Sequence, residues 1–285
     1  MYTTLISVTQ LQTLQSQSAP VLVIDCSCDL MQPAVGPQQF QDQHIAGALY
    51  ADLNDNLSAQ DADQAVNAGR HPLPRREVFV QWLQSLGLTH DMQVVVYDRN
   101  GMNYCGRLWW MLKWCGHNAV AVLDGGLQAW LAAGGATAAG AAVTRSPSQF
   151  ALQAPLVTLV DTAAVASRLN QADQTLIDAR GAPRFRGEVE PIDPVAGHIP
   201  GALNRPFNSN LTEQGFFKSP EVLRAEFTTL LNGRAPQSVV HHCGSGVSAV
   251  PNVLAMEVAG LGASGLYAGS WSEWCTTPGL PVAKG

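Results

Sequence analysis

Val239-Val240-His241-His242-Cys243-Gly244-Ser245-Gly246-Val247-Ser248-Ala249 places three local signals in one short stretch. An apolar, β-branched run stops at a cysteine, as a strand would end. A small Gly-rich loop follows, and then a run that can start a helix. This order sets the Cys243 thiol at the mouth of a ring of backbone N–H groups and at the positive end of a helix. Such a place favours a thiolate and holds an anion beside it.

Working outward, the same landmarks occur twice. His44-Ile45-Ala46-Gly47-Ala48-Leu49 returns as His198-Ile199-Pro200-Gly201-Ala202-Leu203. A short apolar run ending in Asp precedes each, Val21 to Asp25 and Thr175 to Asp178. A second apolar run follows each, Val94 to Asp98 and Ser238 to Cys243. Each half closes with a Gly-containing segment and a Trp, Asp124-Gly125-Gly126 to Trp130 and Ala268-Gly269-Ser270-Trp271 to Trp274. A spacing of domain size reads as two copies of one domain, not as a solenoid. The boundaries expected are a first domain over residues 1–140, a linker over 141–155 and a second domain over 156–285. The small-residue segment Ala132 to Ala142 has little to bury and opens the linker.

Within each copy, apolar runs alternate with segments of helical period. Phe79, Trp82, Leu83 and Leu86 fall at helix spacing, as do Leu223, Phe227, Leu230 and Leu231. That alternation predicts an α/β fold, each domain an open, mostly parallel sheet with helices on both faces. Ligands sit beyond the carboxyl ends of such strands, where Cys243 falls.

Composition narrows the function classes. The chain has 285 residues, 46% of them hydrophobic and 13% charged, with a net charge of −6. A mildly acidic chain with no basic run argues against nucleic acid as a partner. No apolar stretch reaches the length of a membrane span, and the N-terminus lacks the pattern of a signal peptide. The six cysteines are expected to be reduced thiols in the cytoplasm. Cys26 and Cys28 lie close together without a second ligand pair, so no metal or cofactor is expected. Cys105, Cys115 and Cys275 read as core or incidental thiols.

The two copies differ where chemistry would occur. Asp98 stands where Cys243 stands, and Gly101 where Gly246 stands. The first copy keeps the turn without the nucleophile, so one domain is expected to react and the other to supply scaffold and part of the cleft. A cysteine phosphatase would need an Arg six positions after its Cys, to clamp phosphate. That position is Ala249, so the loop offers only N–H groups and hydroxyls, which suits a terminal persulfide.

With these residues in view, the chain resembles the two-domain rhodanese-type sulfurtransferases over nearly its whole length. The matching motifs are Asp124-Gly125-Gly126 with Trp130, Asp178-Ala179-Arg180, Arg184-Phe185, Gly197-His198-Ile199-Pro200-Gly201-Ala202 and the loop from Cys243 to Ala249. The loop Cys243-Gly244-Ser245-Gly246-Val247-Ser248 is similar to that of the 3-mercaptopyruvate branch, where thiosulfate enzymes carry cations. The resemblance implies sulfur transfer from 3-mercaptopyruvate through a Cys243 persulfide to a thiol, thioredoxin or cyanide, with release of pyruvate. Alternatives are a thiosulfate:cyanide sulfurtransferase and a noncatalytic sulfur carrier or binding module. Arg184 is expected to grip the substrate carboxylate. Arg180 is a second candidate, with an ion pair to Asp or Glu as its other reading. Ser245 would hydrogen-bond the carbonyl or relay a proton, with His71 reaching in from the first domain. Gly244, Gly246, Val247 and Ser248 complete the substrate loop. Of His241 and His242, strand alternation lets at most one approach the site. Where relatives have a second Arg after Glu-Pro, Glu190-Pro191 is followed here by Ile192.

Overall fold

A computed structural model describes residues 1–285. The chain divides into two compact units. The first comprises Met1–Gln64, Pro74–Leu156 and Glu213–Phe216, and the second Ala65–Leu73, Val157–Thr212 and Phe217–Gly285.

Each unit is built on a five-stranded sheet whose neighbouring strands all run parallel. The first sheet is ordered Leu5–Ile6, Val120–Leu123, Gln93–Tyr97, Val21–Asp25, Leu49–Tyr50. The second is ordered Thr158–Val160, Gly265–Tyr267, Val239–His242, Thr175–Asp178, Leu203–Asn204. Strand for strand the two orders are the same, so the sequence repeat is a repeat of topology. The runs Val94 to Tyr97 and Val120 to Leu123 are buried at every position. Side chains alternate between sheet faces, so burial at consecutive positions means that both faces are covered. The helical periods predicted around Phe79 and Phe227 form the helices Arg76–Ser85 and Pro220–Leu231.

The repeated His motif does the same work in both units. His44 Nδ1 lies 2.7 Å from the Phe40 carbonyl oxygen and its ring stacks on Phe40 at 3.9 Å. His198 Nδ1 lies 2.8 Å from the Phe185 carbonyl oxygen, and its ring stacks on Phe185 at 3.9 Å. Trp271 and Trp274 are fully buried in the second unit's core with Val165, Leu176, Ile199, Val240 and Tyr267.

Two segments fall elsewhere than the sequence suggested. Residues 141–155, expected as a linker, belong to the first unit. Phe150 is buried there, and the N–H groups of Ser148 and Gln153 donate to the carbonyls of Gln84 and Cys115. Residues 65–73, expected in the first domain, group with the second unit. Their attachment to residues 269–272, described next, gives the reason.

Candidate active site

The second unit's site is assembled on the strand Val239–His242. Its neighbour Thr175–Asp178 runs alongside, and the Ala179 N–H donates to the His242 carbonyl at 2.8 Å. Cys243 follows the strand directly and is 2% exposed. The turn is closed by backbone geometry. Gly246 has φ +73°, and a Cβ there would stand 2.3 Å from the Ala268 carbonyl oxygen. The helix Val250–Val258 begins just after the turn. From the other side the Trp271 and Ser272 N–H groups donate to the carbonyls of Cys243 and Gly244, both at 2.9 Å. The Cys243 N–H donates to Ser270 Oγ at 3.1 Å.

What such a turn holds is visible in the first unit. Asp98 directly follows the strand Gln93–Tyr97, Gly101 has φ +71°, and the helix Cys105–Trp114 begins after the turn. There Asp98 Oδ1 accepts the N–H groups of Asn100 at 2.8 Å and Met102 at 2.9 Å. Its Oδ2 accepts those of Tyr104 at 2.8 Å and Cys105 at 3.0 Å. Burial pushes this carboxyl upward, and the four N–H groups oppose the shift. The turn thus gathers N–H groups around the carboxyl oxygens of the residue that follows the strand. In one unit that residue bears a carboxyl group; in the other it bears a thiol.

Residues 65–73 bring two side chains to the Cys243 loop. The Arg70 N–H donates to Ser272 Oγ at 3.1 Å. Gly69, at φ +97°, fits against the same hydroxyl and the Gly269 carbonyl, where a Cβ would come within 2.6 Å and 2.9 Å. With its backbone fixed there, His71 places Nδ1 2.7 Å from Ser245 Oγ. Both residues are buried. The expected His71–Ser245 pairing is present, though within one compact unit.

Arg70 was missed by sequence reasoning. Its guanidinium pairs with Asp193 through Nη1, while Nη2 lies 2.9 Å from where a Gly244 Cβ would be. Arg184 presents both Nη atoms 3.7 Å from that same point. Two guanidinium groups therefore flank the residue next to Cys243. Arg184 also binds Glu190 Oε1 through Nη2 at 2.7 Å and Asp193 Oδ2 at 3.1 Å. Glu190 is the anchor of the cluster. Burial works to raise its carboxyl, but the Arg184 bond and the Ile192 and Asp193 N–H groups, each at 3.1 Å, hold it below the ordinary range. Asp193 behaves oppositely: burial raises its carboxyl despite Arg70. Ile192 is exposed, and the second guanidinium near Gly244 is that of Arg70. The signal for it was adjacency to His71, which the sequence displays without saying where the side chain goes.

Arg180 is held in an ion pair with Asp178. It is 3% exposed, and its Nε and Nη2 bind Asp178, with Nη2 at 2.7 Å. Nη2 also donates to the Gly197 carbonyl at 2.7 Å, and the guanidinium lies 4.7 Å from the Trp271 ring centroid. Its Nη1 also reaches Glu190 at 3.4 Å, so all its nitrogens are engaged and its side chain is 2% exposed, whereas Arg184, bound to Glu190 through Nε and Nη2, is 20% exposed. The ion pair, its other expected reading, describes it. Burial alone would raise the Asp178 carboxyl, but Arg180 helps hold it low.

Neither His241 nor His242 is exposed. Burial lowers His241 to about 3 and pushes His242 down as well, so both imidazoles are neutral at pH 7. The other thiols are inert by environment. Burial pushes Cys26 and Cys105 far up, Cys28 to about 12 and Cys115 to about 11.

Comparison with known proteins identifies the family and the fold. The model of the "Rhodanese-like domain" family matches residues 7–133 and 161–277. The chain is 47% identical over 266 residues to a probable 3-mercaptopyruvate sulfurtransferase of Pseudomonas aeruginosa, covering 93% of each chain. It is 37% identical to the putative thiosulfate sulfurtransferase SseB of Mycobacterium tuberculosis, covering 99% of this chain and 97% of that one. Among solved structures, SseA from Escherichia coli, titled as a 3-mercaptopyruvate sulfotransferase, superposes with a TM-score of 0.79 at 30% identity. That match covers 95% of this chain and 100% of SseA.

Proposed function

The chain belongs to the rhodanese family, and from that premise we propose that it is a sulfurtransferase whose donor is 3-mercaptopyruvate. The observation that carries this choice is the His71–Ser245 hydrogen bond of 2.7 Å beside Gly244. A keto-acid donor has a carbonyl to polarise and an enolate to protonate. Thiosulfate has neither, since its leaving group is sulfite.

In this reading the donor carboxylate lies against Arg70 and Arg184, whose planar N–H forks match a carboxylate face. Its ketone points to Ser245 Oγ. The Cys243 thiolate attacks the donor sulfur and the donor's C–S bond breaks. The bond's electron pair becomes the enolate of pyruvate, held by the Ser245 hydroxyl. The enolate takes a proton through Ser245 and His71 and leaves as pyruvate. The sulfur remains on Cys243 as a persulfide. The turn Gly244 to Ser248 with Val247 and Gly246 receives its charge, as the matching turn receives Asp98. A thiol, reduced thioredoxin or cyanide then attacks the outer sulfur and restores Cys243, which predicts ping-pong kinetics. A reducing compartment such as the cytoplasm suits a chain whose six cysteines are all free.

Turnover with each donor tests the reading. The expected result is a higher kcat/KM for 3-mercaptopyruvate than for thiosulfate. Mass spectrometry after exposure to donor alone should show one added sulfur atom, absent in Cys243→Ser. A higher kcat/KM for thiosulfate would reject the donor, and an unmodified Cys243 would reject the persulfide.

A further inference from the structure

Four charged side chains meet beside Gly244. Arg70 and Arg184 bring Nη atoms close to it, and Glu190 and Asp193 bind those same guanidinium groups. Two positive charges thus face two negative ones before any donor arrives. The carboxylates are not equivalent. Glu190 is fixed by the Ile192 and Asp193 N–H groups and by Arg180 at 3.4 Å, so it belongs to the scaffold. Asp193 spans the gap, with Oδ1 on Arg70 and Oδ2 on Arg184, and its side chain is 3% exposed.

We propose that Asp193 sets the charge of donor that the site accepts: by neutralising one of the two guanidinium groups over Gly244, it favours a monoanionic donor and disfavours a dianionic one. The inference rests on the reading of Arg70 and Arg184 as the donor's anion site. Coulomb energy is linear in ligand charge. One added unit of positive charge at the mouth therefore helps a dianion twice as much as a monoanion. Removing Asp193 supplies that unit and removing Arg70 withdraws one, so the two changes move selectivity in opposite directions. Specificity here is a matter of disfavouring the wrong ligand as well as fitting the right one.

The experiment is steady-state kinetics with thiosulfate and 3-mercaptopyruvate on the full chain, read as the ratio of the two kcat/KM values. Loosening of the site that affects both donors alike cancels in that ratio. In Asp193→Asn the thiosulfate to 3-mercaptopyruvate ratio should rise on the order of tenfold, mostly through KM. In Arg70→Gln it should fall. Asp193→Glu, which keeps the charge, should stay near wild type. The double variant R70Q/D193N restores the charge balance, and its ratio should return toward wild type. Should Asp193→Asn fail to fold, comparing the double variant with Arg70→Gln isolates the same charge. An unchanged or lower ratio on removing Asp193 overturns the proposal. A wild type that prefers thiosulfate would instead reject the donor assignment, while the direction of the Asp193 shift would still decide this one.

Discussion

At the scale of single residues, position 243 divides the two halves of the chain. Asp98 and Cys243 follow equivalent strands into equivalent turns, yet one turn closes on its own carboxyl group and the other begins at a thiol. Ser245 and His71 form a hydrogen-bonded pair beside the turn, which the proposed reaction uses as its proton path. If they protonate the departing enolate, Ser245→Ala should lower kcat for 3-mercaptopyruvate by roughly 10²-fold or more, the usual worth of a positioned acid. The same substitution should cost far less with thiosulfate, because sulfite leaves without a proton. Equal losses with both donors would reduce the hydroxyl to a structural role. This residue pair was legible in the sequence, since Ser245 lies inside the recognised loop and His71 in a distinct His-Pro-Leu-Pro run. Arg70 and Asp193 were not. Their significance depends on residues 70, 184, 190 and 193 meeting in space, and neither periodicity nor a local motif encodes that meeting.

At the scale of elements, the turn between strand and helix is the feature that the backbone must get right. Gly246 is left-handed, and its missing Cβ leaves room for the Ala268 carbonyl. A side chain there meets strain of about 1–2 kcal/mol for the left-handed conformation alone. Contact with fixed backbone adds to this. Gly246→Ala should therefore lower the unfolding midpoint by several degrees, at about 2–4 °C per kcal/mol for a chain of this size. It should also cut sulfur transfer sharply, because the N–H groups shift relative to Cys243. Gly101→Ala meets the same backbone demand at φ +71° in the turn that carries Asp98. It should show the stability loss with activity largely kept. Activity lost equally in both variants would mean that strain, not the geometry at Cys243, controls the effect. The need for glycine at both positions was legible from the aligned copies. The attachment of residues 65–73 to the second unit was not, because it rests on the Gly69 and Arg70 backbone meeting Ser272.

At the scale of the whole molecule, histidines are buried in both units, and this makes acid stability predictable. His117 in the first unit is lowered by burial to about 4, and His241 in the second to about 3. His241 sits in a central strand, with Nε2 3.1 Å from the Met256 sulfur, a weak acceptor that does little to hold a proton. In the unfolded chain each imidazole takes a proton near pH 6.5. Below that value the unfolded state binds more protons than the folded one, so stability falls as pH falls. The loss begins near pH 6.5 and ends for each group at its folded value, about 4 for His117 and about 3 for His241. Within its window each histidine contributes a slope of up to about 1.4 kcal/mol per pH unit. His242, also pushed down by burial, adds in the same direction. Carboxylates held low by cations, such as Asp178, lose their contribution only at lower pH, while Asp98 and Asp193, raised by burial, take up protons in the folded state as pH falls and offset part of the histidine loss. Urea unfolding at pH 7 and pH 5 should show a clear drop in midpoint at the lower pH. His241→Gln, which cannot titrate, should narrow the gap between the two midpoints even where it lowers both. A midpoint that stays constant between pH 7 and pH 5 would show that these imidazoles do not control acid stability.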